Sequence, residues 1–240
     1  MLERGLKGVR WRLFWVFVAF SLGGSLTWVF KTPIFHLLLA PAAGQLSETG
    51  KPIFTGPTEM FSLTISLVIK GGLIVALPVL MFHLYRLLGP LFTKAQRGLV
   101  VRFFGLITIF YLGGMAFAYF ILLPAGLGFL LQFGTDIATP AIRITEYMDL
   151  ALAMIFWLGV VFEIPVLMLL LAKLRLVSHK GFSKVRKYVP IAALILSGII
   201  TPTPDWVNQT LVAVPLILLY ELGIFLSWLV RPKGIRDERR

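Results

Sequence analysis

From Leu13 to Phe30 the chain runs for 18 residues without a single charge. Wound as an α-helix at about 1.5 Å per residue, such a run reaches roughly 27 Å, just enough for the hydrocarbon core of a bilayer. Further apolar runs follow at Phe61–Leu88, Leu99–Leu123, Tyr147–Leu171, Tyr188–Ile200 and Thr210–Val230. Composition points the same way. Of the 240 residues 58% are hydrophobic and only 14% charged, against about 45–50% and about 25% in soluble domains. No soluble fold buries this much apolar surface, so the solvent is lipid.

The first run follows a basic segment, as the core of a cleaved signal peptide would. It is longer than the roughly 7–15 residues of such a core, and no small-x-small site closely follows it, so it reads as a retained span. Residues 31–60 carry Pro33, Pro41, Pro52 and Pro57 and read as a long outer loop. The second span has 28 residues and must tilt or protrude; Gly89-Pro90 ends it. Residues 124–146 read as a second outer loop, its apolar stretch as a helix on the surface. The fifth run has 13 residues, about 20 Å as helix. It either re-enters or crosses where the bilayer thins, and Thr201-Pro202-Thr203-Pro204 makes the turn after it.

Lys and Arg set the orientation. Segments 1–12, 89–98, 173–187 and 231–240 hold seventeen of them, whereas the alternate loops hold three: Lys31, Lys51 and Arg143. The positive-inside rule places the first set in the cytoplasm. With both termini there the number of crossings is even, and six fits. The expected layout is one transmembrane domain, 1–230, and a basic cytoplasmic tail, 231–240. The net charge of +12 is therefore a topology signal rather than the footprint of a nucleic-acid face. No cysteine is present, and His36, His83 and His179 are scattered. No metal, nucleotide or nucleophile motif appears, so neither an enzyme nor a cofactor is indicated.

Ionisable side chains inside a span are costly and point to function. Three stand out: Lys70 in the outer half of span two, Glu163 in the inner half of span four, and Glu221 near the middle of span six. A structural account pairs Lys70 with a glutamate, or leaves a glutamate protonated. A functional account has them line a polar cavity or dock a partner's polar residue. For Glu163 the functional account is favoured, because Pro165 frees a backbone carbonyl in the same turn. Pro78, Pro190, Pro215 and Gly113-Gly114 describe a curved, irregular bundle. Leu2, Leu6, Val9 and Leu13 share one helical face. That face suits an amphipathic surface helix, and a plain positive anchor explains it equally well.

A series of segments, in order, carries a family resemblance. It comprises Leu99-Val100-Val101, Gly114-Met115-Ala116-Phe117-Ala118-Tyr119-Phe120, Gly159-Val160-Val161-Phe162-Glu163-Ile164-Pro165-Val166, Thr203-Pro204-Asp205, Asn208-Gln209-Thr210-Leu211 and Tyr220-Glu221-Leu222-Gly223-Ile224-Phe225. Pro41 and Pro57-Thr58-Glu59 agree with it. Over roughly residues 8–230 the chain resembles TatC, the integral subunit of the twin-arginine protein translocase. The resemblance implies six tilted helices in a concave, glove-like all-α arrangement, with short fifth and sixth helices. It also implies a receptor in the cytoplasmic membrane that binds signal peptides of folded cargo. Such a receptor assembles, itself in several copies, with single-span TatA and TatB subunits for export driven by the proton-motive force.

Residue by residue, the resemblance implies signal-peptide binding at Arg10, Arg12, Tyr85 and Gln96, and partner docking at Glu163, Asp205 and Gln209. Pro41, Glu59, Lys70, Tyr119 and Glu221 are further candidates of structural or functional weight. Two positions depart from the family pattern: Gly8 and Gln96 stand where it carries glutamates. A rival expectation is a small-solute or proton-coupled transporter that uses Lys70, Glu163 and Glu221 as a charge relay. No internal repeat relates residues 1–120 to 121–240, and many transporters of that kind have one.

Overall fold

A computed structural model describes residues 2–46, 52–87, 99–132, 142–201 and 206–230, apart from the side chains of 2–9, 43–46, 85–87 and 99–102. Ten α-helices form along these segments. They are α1 (Leu2–Val29), α2 (Lys31–Leu46), α3 (Glu59–Leu87), α4 (Leu99–Phe117), α5 (Leu123–Gln132), α6 (Ile144–Val161), α7 (Ile164–Lys173), α8 (His179–Val185), α9 (Val189–Ile200) and α10 (Trp206–Leu229). A π-helical segment, Ala118–Leu122, joins α4 to α5, and a 3-10 turn, Arg186–Tyr188, joins α8 to α9. Among the described residues, five stretches are long and apolar enough to cross a membrane: 10–29, 59–84, 103–132, 144–173 and 206–229.

Several sequence expectations are corrected. The N-terminal segment is not a separate surface helix, because α1 runs unbroken from Leu2 to Val29. The stretch after Phe30 is not a loop but α2. Pro33 falls in its first turn, where no intrahelical donor is lost, and Pro41 lies inside it. The third span does not stop at Leu123. Pro124 lacks an N–H and its ring would press on the carbonyl four residues back. The π segment absorbs that misfit by shifting to i→i+5 bonding, with the Leu123 N–H donating to the Ala118 carbonyl, and the helix continues as α5. Of the two helices expected to be short, α9 has 12 residues, while α10 has 24. Gly89-Pro90 and the turn residues Pro202, Thr203 and Pro204 lie outside the described residues.

Small residues set how closely the helices approach, as befits packing in lipid, where dispersion and fit replace the hydrophobic effect. A Cβ on Gly23 would stand 2.6 Å from that of Val75, and one on Gly72 would stand 2.8 Å from the Phe20 carbonyl, so α1 and α3 nearly touch backbones. Gly114 does the same between α4 and α6: its Cβ would lie 2.6 Å from the Leu158 carbonyl. Helix α6 is the most buried, with Met148, Ala151, Leu152 and Leu158 in the main core. A second cluster, Phe103, Ile107, Val166 and Leu170, joins α4 to α7. Ile109, Phe120, Ile195 and Leu218 point outward, as lipid-facing side chains should.

The connections at the far end, where α1 finishes and α3 begins, are tied together. Ile53 and Arg143 form a parallel bridge; the Ile53 N–H donates to the Ile142 carbonyl (3.0 Å) and the Ile144 N–H to the Ile53 carbonyl (2.9 Å). Beneath it the buried Glu59 carboxylate accepts from the Thr55 N–H at 2.7 Å, the Gly56 N–H at 3.2 Å and the Thr145 hydroxyl. Arg143 stands 3.7 Å away. Glu59 is thus a clasp between the segments leading into α3 and α6.

Candidate functional site: the break in the fourth span

Span four is two helices. Pro165, near the start of α7, has no N–H to give the Val161 carbonyl, so α6 ends there and a turn of Phe162 and Glu163 intervenes. The Glu163 N–H falls back on the Val160 carbonyl (3.1 Å), and the Glu163 carbonyl receives the Leu167 N–H (2.9 Å). Glu163 is 4% exposed, and neither carboxyl oxygen has a hydrogen-bond partner among the described residues. On one side Tyr111 of α4 lies against Gly159, one turn before Glu163; on the other, Gly223 of α10 closes on Met168 and the Pro165 backbone. The break is therefore sealed among α4, α6, α7 and α10.

The other ionisable candidates have partners. Lys70 pairs not with a glutamate but with Asp149 of α6, at 2.7 Å. Asp149 is an acid inside the fourth apolar run that the sequence reading passed over. Glu221 pairs with Arg186 of the 3-10 turn at 2.6 Å, a contact that sequence spacing gives no means of finding. Among the described residues, Lys70, Glu163 and Glu221 share no ion pair with one another.

Gln209, in the first turn of α10, donates from Nε2 to the Leu194 carbonyl of α9 (2.8 Å). Its neighbour Asn208 is buried, with Oδ1 against Gly126 of α5. Arg10 is exposed on α1, and Arg12 Nη1 is buried with no hydrogen-bond partner among the described residues. Pro41 and Tyr119 prove to be connected. The Tyr119 hydroxyl donates to the Leu37 carbonyl (2.7 Å), the acceptor that Pro41 deprives of its helical donor; Tyr147 likewise donates to the Leu38 carbonyl. Gln96 and Asp205 lie outside the described residues, and so does the side chain of Tyr85, whose backbone is in α3.

Away from this break, α1, α2, α3, α4, α6 and the π segment wall an apolar cavity of about 550 Å³, lined by residues including Leu26, Ile34, Gly71, Met115, Phe120 and Leu152. A bundle of broken, glycine-packed helices around an apolar cavity is an all-α integral membrane protein. Residues 5–215 match the family described as Sec-independent protein translocase protein (TatC). The chain is 34% identical over 223 residues to the TatC protein of Carboxydothermus hydrogenoformans, covering 93% of this chain and 90% of that one. It is 33% identical over 235 residues to the protein of Aquifex aeolicus, covering 97% and 96%. The crystal structure of the twin-arginine translocase receptor TatC superposes with a TM-score of 0.82 at 31% identity, over 94% of this chain and 98% of that one. The chain belongs to the TatC family of Sec-independent protein translocase proteins.

Proposed function

We propose that this chain is the receptor and assembly subunit of a twin-arginine translocase in a prokaryotic cytoplasmic membrane. The observation that carries this reading is the likeness to the twin-arginine translocase receptor in both sequence and fold over 94% of the chain. Residues 1–230 act as one transmembrane domain with six crossings. Helix α9 is the short one, and the basic tail 231–240 and the N-terminus sit in the cytoplasm, as the Lys and Arg distribution favours. Folded cargo is recognised through its signal peptide at Arg10, Arg12, Tyr85 and Gln96. Single-span subunits of the TatA and TatB kind dock at Glu163, Asp205 and Gln209, with several copies of the chain in the working complex. The unpaired state of the Glu163 carboxyl supports its role, since a buried polar group without a protein partner gains most from one supplied by another chain.

Gln96 offers a signal guanidinium only a neutral acceptor, whose hydrogen bond is about half as strong as a carboxylate's. The test places a photo-crosslinking side chain at residue 10 and another at 96, with cargo bearing Arg-Arg or Lys-Lys in its signal. Crosslinks to the Arg-Arg cargo that vanish with Lys-Lys are expected. Equal crosslinks with both cargos, or none with either, sink the signal-binding assignment. In parallel, Glu163→Ala should leave the protein inserted but lower recovery of co-purified single-span subunits; unchanged recovery refutes docking there.

A further inference from the structure

Helix α7 ends on a residue that its backbone does not favour. Arg175 has a φ of 59°, in the left-handed region where a side chain crowds the backbone and glycine fits best. The Arg175 N–H donates to the Ala172 carbonyl and the Leu176 N–H to the Leu171 carbonyl, both at 3.0 Å. That pattern closes a helix with one left-handed residue, most often glycine. The arginine is exposed, and among the described residues it has no ion-pair partner. A strained side chain that meets no carboxylate within the described chain points to an anion outside it.

The rest of the link from α7 to α9 shows what kind of anion fits. Residues 173–187 hold six Lys and Arg and no acid. Two adjacent residues of α10 pin this link in place: the Tyr220 hydroxyl donates to the Phe182 carbonyl (3.0 Å), and Glu221 pairs with Arg186 (2.6 Å). Helix α10 runs on for eight residues past Glu221, about 12 Å, and exposes Phe225, Trp228 and Leu229 there. Apolar helix therefore extends beyond the level of the cations, and the link itself exposes Val185 and Tyr188 beside Lys184 and Lys187. Cations next to exposed apolar side chains suit the depth at which headgroups meet acyl chains. We propose that the link 173–187 binds anionic phospholipid, with Arg175, Lys184 and Lys187 facing the phosphates and the exposed end of α10 lying against the acyl chains. A zwitterionic lipid fits less well, because its headgroup brings a second cation and Glu221 is already taken by Arg186. The site asks only that the chain sits in a bilayer and does not rest on the function proposed above.

The test follows thermal unfolding of the full chain in nanodiscs of phosphatidylcholine, with and without added phosphatidylglycerol. A ligand that binds only the folded state raises Tm, so the unaltered protein should gain Tm with phosphatidylglycerol. Arg175→Gly should unfold at the same or a higher temperature in phosphatidylcholine alone, since glycine suits the turn, yet lose much of that gain. Lys184→Gln/Lys187→Gln, which leaves the turn untouched, should lose it too. Lys31→Gln removes one cation at the start of α2 and should keep the gain. No gain in the unaltered protein overturns the proposal, as does an undiminished gain in both site variants. A lower Tm of Arg175→Gly in phosphatidylcholine alone shows a structural arginine and overturns its part, and an equal loss in Lys31→Gln shows net charge rather than a site. Inorganic phosphate added to phosphatidylcholine discs should not reproduce the gain; if it does, the ligand is a free anion and not a lipid.

Discussion

Pro41 and Tyr119 set up a double-mutant cycle whose sign follows from geometry. A helix donates the N–H of residue i to the carbonyl of i−4, so Pro41 strips Leu37 of its donor, and the Tyr119 hydroxyl replaces it at 2.7 Å. Tyr119→Phe leaves that carbonyl unpaired. A protein hydrogen bond is worth about 0.5–1.5 kcal/mol net, and interhelical bonds in membranes average about 0.6 kcal/mol. A loss of about 1 kcal/mol is therefore expected, a factor of roughly five in the folded-to-unfolded ratio, or about 2–4 °C in Tm for a chain of this size. Pro41→Ala supplies the missing N–H, so in that background Tyr119→Phe should cost only a few tenths of a kcal/mol. The packing cost of Pro41→Ala itself cancels in the cycle. Reversible unfolding of the four proteins in mixed micelles measures the coupling. If Tyr119→Phe costs the same with proline or alanine at 41, the substitute-donor reasoning is wrong.

Three further outcomes follow from the same contacts. Asp149→Leu should destabilise the protein more than Lys70→Leu/Asp149→Leu together, because the single change strands a lysine among apolar helices while the double change removes both charges; unfolding curves in which the double variant is the weaker count against it. Glu59→Ala should speed amide exchange at Ile53, Thr55, Gly56 and Ile144, the donors gathered by the clasp and its bridge, with little change in α9. Uniform exchange across the chain would mean that Glu59 acts globally. Gly114→Val should lower Tm sharply, since its Cβ meets the Leu158 backbone rather than a flexible side chain, whereas Gly113→Ala, with nothing within 4 Å, should be near neutral. Equal effects would show that the α4–α6 approach is looser than drawn.

The apolar runs announced the long helices because lipid demands uncharged stretches of set length, a rule that acts on every residue of a span. What stayed hidden was how the chain copes with its prolines. Pro33 and Pro41 made α2 look like a loop, yet one sits where no donor is needed and the other is served by a tyrosine 78 residues further along the chain. Pro124 looked like a terminus, but a single change of hydrogen-bond register carries the helix past it. Both remedies are tertiary or geometric, and neither leaves a local pattern. The candidate site was legible in part: Glu163 and Pro165 stand together in sequence, while Tyr111 is an ordinary aromatic in an apolar run until α4 is laid against Gly159.

The ionisable residues within the spans separate by what surrounds them. Lys70 borrows Asp149, and Glu221 borrows Arg186 from the basic link; in each case opposite charge within 3 Å supplies a plain reason for the residue to be tolerated. Glu163 has no such reason among the described residues, where neither of its carboxyl oxygens meets a donor. An ionisable group at mid-membrane costs about 2.5–3.5 kcal/mol on insertion scales, and a stable fold has no use for that cost when leucine would fill the space. The geometry also rules out the simplest form of docking, in which a partner touches an open carboxyl, because Glu163 is only 4% exposed. If Glu163 docks a partner as proposed, the incoming helix has to part α4 from the α6–α7 turn, where the 18-residue α6 and the 10-residue α7 meet at a proline with no backbone hydrogen bond from residue 165. Binding at Glu163 is then coupled to movement of α7 and of α10 packed on it, which would let the occupancy of one buried carboxyl be felt along the whole last helix.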